Sequence, residues 1–544
     1  MIPEPIYAGD SALLLQLGDA AIDPDLNAQA IAVAATVRAR AIAGVRDVVS
    51  TFRSVAVFFD PLCTDINAVT AALRDGIECA PARETGRPVD IPVVYGGEMG
   101  PDLANVAAFA GCTEDEVIRR HAGQEYRVYM LGFLPGFPYM ARVDSTIAAP
   151  RHATPRLRIA AGSVAIAGEQ TGIYPRESPG GWQIIGRTAA VLFDPEQTPP
   201  ALLAPGDCVR FVPSSECGGS PVGFASAILT RPAPLTTRSV TVLRPGLLTT
   251  IQDSGRWGHQ SLGVPVAGPM DYVAHRVANV VAGNRGGAAA LEATLLGPEL
   301  RFEQDTCVAI AGADLGATLN GARMPLVAPV QCPKASVLRF DGRRSGTRAY
   351  IAFQGGLASD PVLGSQATHI VSSLGGRSLK AGDRLPLGEA PAVDVPASRI
   401  EHLRARSMPT GGARLRVLPG PQAESFDQTA LDHLQRTRFT ISPRSDRMGY
   451  RLAGGRLAPS VRGEMISDVT ITGGLQVPPS GEPILLMVDR QTTGGYPQLA
   501  VVITADLPLA GQLGPGDWVE FELCRRAEAI AALIAAEGKL LALR

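Results

Sequence analysis

The chain has 544 residues, 46% of them hydrophobic, 5% aromatic, with a net charge of −2. That length calls for several domains rather than one core. The near-neutral charge removes any electrostatic case for nucleic acid or an anionic membrane, and no apolar run of roughly 18 residues reads as a spanning helix.

Fifty-nine glycines and 44 prolines predict short strands joined by tight turns, as in barrels and sandwiches. In chain order, residues 1–85 read as a small α+β domain. Ile6 to Leu17 is strand-like, and Asp23-Pro24 is an N-cap with Pro at the first helical position. An Ala-rich helix to about Ala43, a half-buried strand from Val48 to Phe59, and a helix from Ile66 to Cys79 follow. Residues 81–88 read as a hinge. A barrel is expected over 86–213, with a helix opened by the capping box at Thr113. Residues 214–238 are a Ser/Gly/Pro-rich linker. A first barrel subdomain of the second half is expected at 239–395, including a helix from about Met270 to Ala282. Linker-like residues 389–412 lead into a second barrel subdomain at 396–523. A helix closes the chain within 524–544, packed on a barrel or on a partner chain.

Two segments echo each other: Gln170-Thr171-Gly172-Ile173-Tyr174-Pro175 and Gln491-Thr492-Thr493-Gly494-Gly495-Tyr496-Pro497. Each precedes a Pro-Gly-Asp turn and a strand, at Pro205 and at Pro515, with a weaker copy at Ala381-Gly382-Asp383. The echo predicts one barrel unit used more than once. Turn chemistry alone also produces Pro-Gly-Asp.

The eight cysteines include no C-x-x-C pair, so neither a zinc site nor a disulfide framework is expected. Lysine occurs only at 334, 380 and 539, none in a biotin-attachment setting. Phosphate-loop, nucleophile-elbow and H-E-x-x-H signatures are missing. No basic-then-apolar leader opens the chain, so a soluble, cytoplasmic protein is expected.

The densest chemistry lies between Arg151 and Arg187. His152 is a candidate general acid or base. Arg156 and Arg187 are candidate oxyanion clamps, with Gln170, Tyr174 and Ser178 beside them. Gly180 and Gly181 let backbone approach a ligand. The alternative is a surface of solvated arginines and ordinary turns. In the second half, Asp271 opens a helix that suits an anion, or simply caps it. A last cluster holds Arg447, Arg451, Glu464, Asp489, Gln491, Thr492 and Tyr496. Asp489 is a candidate catalytic acid, and Asp489 or Glu464 could hold Mg²⁺.

Residues 1–213 resemble the allophanate hydrolase subunit 1, or Kip inhibitor, family. The resemblance rests on Gly132-Phe133-Leu134-Pro135-Gly136-Phe137, Ala161 to Gly168, the Gln170 segment and Ser178-Pro179-Gly180-Gly181-Trp182. Residues 240–523 resemble the subunit 2, or Kip antagonist, family through Thr250-Ile251-Gln252-Asp253, Gly268-Pro269-Met270-Asp271, Arg447 to Leu452 and Asp489 to Tyr496. The resemblance implies a mainly β chain with cyclophilin-like β-barrels and a small N-terminal α+β domain. It also implies a component of ATP-dependent 5-oxoprolinase, using ATP and Mg²⁺ and partnered by a LamB/YcsF-type subunit. Carboxyl transfer of the urea carboxylase type and Kip-type control of a histidine kinase are the alternatives. Homo-oligomerisation is left open. Where the family often carries Gly-Ser-Arg-Ser-Thr-Asp, this chain has Gly364-Ser365-Gln366-Ala367-Thr368-His369.

Overall fold

The computed structural model describes residues 3–19, 22–79, 86–216, 238–390, 408–460 and 465–541. Glu464 and most of the hinge and of both linkers lie outside these residues.

The N-terminal domain is a four-stranded antiparallel sheet ordered Ile6–Tyr7, Ala12–Gln16, Ser54–Phe59, Val45–Ser50. Helices Pro24–Ala39 and Ile66–Glu78 cover one face. The Asp23 carboxylate caps the first helix, accepting from the Asp25 and Leu26 N–H groups. The strand expected from Val48 to Phe59 is two strands, with the Thr51 N–H donating to Ser54 O at 2.9 Å across the reversal. The turn escapes sequence reading because both faces of the hairpin are buried. Val55, Val57 and Phe59 pack under the helices. Ala56 and Phe58 pack against Val469, Ile471 and Val501 of the last barrel.

Two closed seven-stranded barrels follow the same plan. The first runs Gln170–Ile173, Pro138–Ala141, Glu125–Leu131, Cys208–Pro213, Pro88–Tyr95, Gln183–Arg187, Ser163–Ala167. The second runs Ile484–Leu486, Gly449–Ala453, Phe439–Ile441, Trp518–Leu523, Gly412–Pro419, Gln498–Val502, Gly474–Gln476. In both, the first and last strands of the unit in sequence lie side by side in parallel. In both, the penultimate strand carries a bulge at one register position, between Ile184 and Gly186 and opposite Leu475–Gln476. Continuing the ladders from these bulges sets Phe137, Tyr139, Ala165, Gly172, Tyr174 and Trp182 over Gly449, Arg451, Gln476, Ile484, Leu486 and Tyr496.

This register corrects the sequence echo. Gln170–Ile173 is a barrel strand, whereas Gln491–Pro497 is the arch after the matching strand, equivalent to Ser178–Trp182. The Pro-Gly-Asp turns do correspond. At each, glycine takes a left-handed conformation, with φ of +99° at Gly206, +86° at Gly516 and +89° at Gly382. Each aspartate accepts the N–H three residues back, at 2.7–2.9 Å, and pairs with an arginine.

The barrel expected at 239–395 is instead two open sheets, of six and five strands, sharing one core. The third Gly-Asp turn leads into Arg384–Pro386, which pairs antiparallel with Ser239–Arg244. The barrels close through a parallel pair at that point. The C-terminal helix, Arg526–Leu541, packs Ala529 on Leu418 and Ile503 of the last barrel, and Arg276 pairs with Glu537 at 2.7 Å. Ala529, Leu533 and Leu540 of this helix are thus buried within the chain, while Ile534 stays 57% exposed. Among the described residues no helix is long and apolar enough to cross a membrane.

Candidate functional site

Alternation along Gln170–Ile173 splits the strand. Thr171 and Ile173 point into the first barrel, where Thr171 Oγ1 meets His121 Nε2 at 3.0 Å. Gln170, Gly172 and Tyr174 point outward. Phe137, Tyr139, Tyr174 and Trp182 fill this outer face with edge-to-face contacts, Phe137 lying 5.2 Å from Tyr174 and 5.6 Å from Trp182. Phe52 and Ile466 close over them. Gly172 is obligatory, because a Cβ there would meet Phe137 at 2.9 Å and Trp182 at 3.1 Å.

A polar group edges the aromatic face. Asp102 precedes the Leu103–Ala110 helix but makes no side-chain cap bond to it. Its carboxylate instead accepts both Arg156 Nη atoms at 2.6 and 2.7 Å, and the Ile184 N–H at 2.7 Å. Burial pushes this carboxyl up, but the Arg156 pair and the other donors hold it below its ordinary value. His152 Nε2 stands 3.2 Å from Asp102 and 2.9 Å from Arg156 Nη1. That nitrogen is occupied, so Nδ1 is the ring nitrogen left for a ligand. The His152 N–H donates to Gly181 O at 2.7 Å, and a Cβ at Gly180 would strike Tyr174 Oη at 2.3 Å. His152, Arg156, Tyr174, Ser178, Gly180 and Gly181 are thus brought together. Gln170 shares the outer face but lies about 13 Å along the strand from Tyr174. Arg187 ends its own strand opposite Ser163.

The arch of the last barrel joins the two halves. Thr493 Oγ1 accepts the Phe133 N–H at 3.1 Å, and Tyr139 bonds to Thr493 and Ser467. A Cβ at Gly132 would lie 2.2 Å from Thr493 Oγ1, so the approach requires glycine. Gln491 and Tyr496, on the same arch, line a cleft of about 200 Å³ with Arg444, Asp446, Arg451 and Arg490. Arg490 is 1% exposed. Its Nη2 donates to Gln260 Oε1 at 2.8 Å, while Nε and Nη1 have no hydrogen-bond partner. Burial pulls its guanidinium down to about 10 against the attraction of Asp47, so it stays charged at neutral pH.

Arg447, Asp489 and Asp271 lie elsewhere, in a buried network between the last barrel and the open sheets. Arg447 Nε and Nη2 each bond Asp489 at 2.9 Å, and Nη1 bonds Glu292. Glu292 also accepts Tyr350 Oη at 2.6 Å. Burial lowers the Arg447 guanidinium, but the attraction of Asp489 and Glu292 reverses that shift; burial raises the Glu292 carboxyl, but the attraction of Arg447 and Arg348 brings it below its ordinary value. Asp271 caps its helix through Ala274 N and accepts Gln512 Nε2 at 2.8 Å. Thr492 is buried behind the arch. Asp489 has both oxygens on Arg447, so a metal ion there would have to displace it. Among the described residues no three His, Cys, Asp or Glu groups cluster to hold a metal. Gln366 and His369 are likewise internal: Gln366 bonds the Leu357 and Ser359 carbonyls, and His369 sits between Ser372 and Asp489 O.

A family model described as "Carboxyltransferase domain, subdomain C and D" matches residues 5–203, and "Carboxyltransferase domain, subdomain A and B" matches 262–523. The chain is 37% identical over 300 residues to the C subunit of 5-oxoprolinase from Escherichia coli K12, covering 54% of this chain and 93% of that protein. It is 42% identical over 220 residues to the B subunit of 5-oxoprolinase from Bacillus subtilis 168, covering 38% and 91%. The chain belongs to the carboxyltransferase-domain family that includes the B and C subunits of 5-oxoprolinase. A crystal structure of TTHA0988 superposes with a TM-score of 0.80 at 35% identity, covering 94% of this chain and 99% of that one. The mainly β fold with two barrels agrees with the resemblance read from the sequence.

Sequence reasoning missed Asp102, Thr493, Arg444 and Arg490. Asp102 reads as an ordinary helix cap. Arg490 sits inside a recognised motif but carries no sign of its burial.

Proposed function

We propose that the chain is a fused B–C component of an ATP-dependent 5-oxoprolinase, activating 5-oxo-L-proline so that a LamB/YcsF-type subunit opens the ring to L-glutamate. One observation carries this reading. A segment similar to the B subunit is followed by one similar to the C subunit, and Thr493 of the second bonds Phe133 of the first. Such a junction holds groups from both halves in fixed geometry.

A lactam is a poor electrophile because its nitrogen lone pair feeds the carbonyl. ATP, when bound, would supply the phosphoryl group that draws electrons from the lactam carbon and makes it a better electrophile for water, with the ring nitrogen leaving on opening. The chain's own work is positioning and charge. Asp102 fixes Arg156, which leaves the guanidinium edge away from the carboxylate to face a ligand. His152 turns Nε2 to Asp102 and Arg156, leaving Nδ1 as the nitrogen for a ligand. Arg451, Arg490 and Gln491 present donors suited to phosphoryl or carboxylate oxygens. Their cleft, about 200 Å³, is smaller than pockets that take whole drug-sized ligands, so it suits the acidic end of a ligand rather than an entire nucleotide. Mg²⁺ does not fit at Asp489, where Arg447 occupies both oxygens.

The test is phosphate and glutamate release from the full chain with ATP and 5-oxoproline, with and without a LamB/YcsF-type subunit. Both products are expected in equal amounts in the mixture. His152→Gln is expected to lower turnover on the order of 100-fold. ATP hydrolysis in the mixture that ignores 5-oxoproline would sink the proposal. The family description favours a second reading, carboxyl transfer from a biotinylated carrier. Urea-dependent decarboxylation of a carboxybiotinyl carrier, without oxoproline turnover, would select it.

A further inference from the structure

We propose that the outer face of the last barrel is an oxyanion site centred on Arg490, taking one carboxylate or phosphoryl group. Three observations converge on it. The first is shape. Gly449 and Arg451 stand where the first barrel carries Phe137 and Tyr139, so the rings that fill the face there are missing and a cleft remains. The second is charge. Arg444, Arg451 and Arg490 line the cleft against one acid, Asp446. Asp446 is turned into its own loop, accepting the N–H groups of Met448 at 2.8 Å and Gly449 at 3.3 Å. Among the described residues, neither Arg444 nor Arg451 pairs with an acid, and both are exposed.

The third observation is an unfilled hydrogen-bonding capacity. Arg490 is almost wholly buried, held from behind by Gln260 and by Phe58, whose ring centroid lies 5.7 Å away. Asp47, itself buried, attracts it but accepts instead from the Gly258 and Gln260 N–H groups. Nε and Nη1 are left without acceptors. Buried donors normally find partners, and a guanidinium edge matches the two oxygens of a carboxylate or phosphoryl group. Arg490 forms part of the cleft wall, so an oxyanion seated there supplies those partners after a small shift of the side chains that cover them. Gln491 and Tyr496, at the cleft wall, are placed to contact whatever the oxyanion carries.

The oxoprolinase reading draws on the same cleft, but the inference concerns binding, and the experiment separates its failure from that of the enzyme. The experiment is isothermal titration of the full chain with inorganic phosphate and, in a separate arm, with 5-oxo-L-proline. The arms distinguish a phosphoryl from a carboxylate occupant. At least one of them is expected to bind, and binding is expected to weaken at least tenfold in Arg444→Ala/Arg451→Ala, whose exposed positions spare the fold. Arg490→Met, checked for folding by circular dichroism, is expected to lose it more completely. Failure of both anions to bind at millimolar concentration overturns the site, as does binding that the double variant leaves unchanged. Binding by the chain, with no oxoproline-dependent ATP hydrolysis in the mixture with a LamB/YcsF-type subunit, upholds the site while sinking the proposed enzyme.

Discussion

On the first barrel the outer face around Gly172 is packed with Phe137, Tyr139, Tyr174 and Trp182 and sealed by Phe52 and Ile466. On the last barrel the matching positions are Gly449, Arg451, Leu486 and Tyr496, and the face is an open cleft. Strand order, the parallel closing pair, the bulge and the Gly-Asp turn are shared. The inner core and the turns therefore maintain the barrel, while the outer face is free to become glue in one copy and a pocket in the other. The last barrel obtains its rigidity from a different side, where Arg447, Glu292 and Asp489 tie it to the open sheets.

The comparison is easiest to break where its energies are largest. Phe137→Ala is expected to cost roughly 3–5 kcal/mol by leaving a cavity among rings. Tyr496→Ala, at the matching rim and 43% exposed, is expected to stay within about 0.5 kcal/mol. Urea midpoints of the two variants measure this, and equal losses would mean that the faces are not energetically distinct. Arg447→Met leaves Asp489 buried without its cation and Glu292 with only Arg348, 3.9 Å away, at a cost of about 3–5 kcal/mol on the same scale. Thr493→Val removes the acceptor of the Phe133 N–H and a partner of Tyr139, a loss of about 1–3 kcal/mol. An unchanged midpoint would detach the arch from the first barrel.

Gly449→Phe imitates the first barrel. Its Cβ would lie 3.0 Å from Ile484 Cγ2 and 3.1 Å from Leu485 O, so a cost of about 1 kcal/mol is expected. Phosphate or 5-oxoproline binding should drop at least tenfold by titration, and retained affinity would place the ligand elsewhere. The smallest effect is acid sensitivity. Asp102 is held below its ordinary value, so its contribution is complete above the unfolded carboxylate range near ~4. It is lost as pH falls through the folded value. Asp102→Asn should therefore narrow the stability difference between neutral and acid solution, as read by thermal melts at both.

Much of this was legible in the chain itself. Asp23, Thr113 and Asp271 announced helix starts because capping is local chemistry. The three Gly-Asp turns announced strands because only glycine adopts their left-handed backbone cheaply. The long motifs around Phe133, Ser178 and Asp489 announced the family. The candidate site was legible only in part. His152, Arg156, Tyr174 and the Ser178 loop do meet, but Asp489 and Arg447 are committed to each other. Tertiary structure alone decided the rest. Whether Val48 to Phe59 turns back depends on two partners covering both faces. Whether residues 239–390 close depends on a parallel or antiparallel pairing between segments far apart in sequence. Whether an arginine is solvated or left waiting for an anion depends on what surrounds it. Capping, turns and periodicity act over a few residues and are written in the sequence. Burial and pairing arise between residues hundreds of positions apart, and only the assembled fold supplies them.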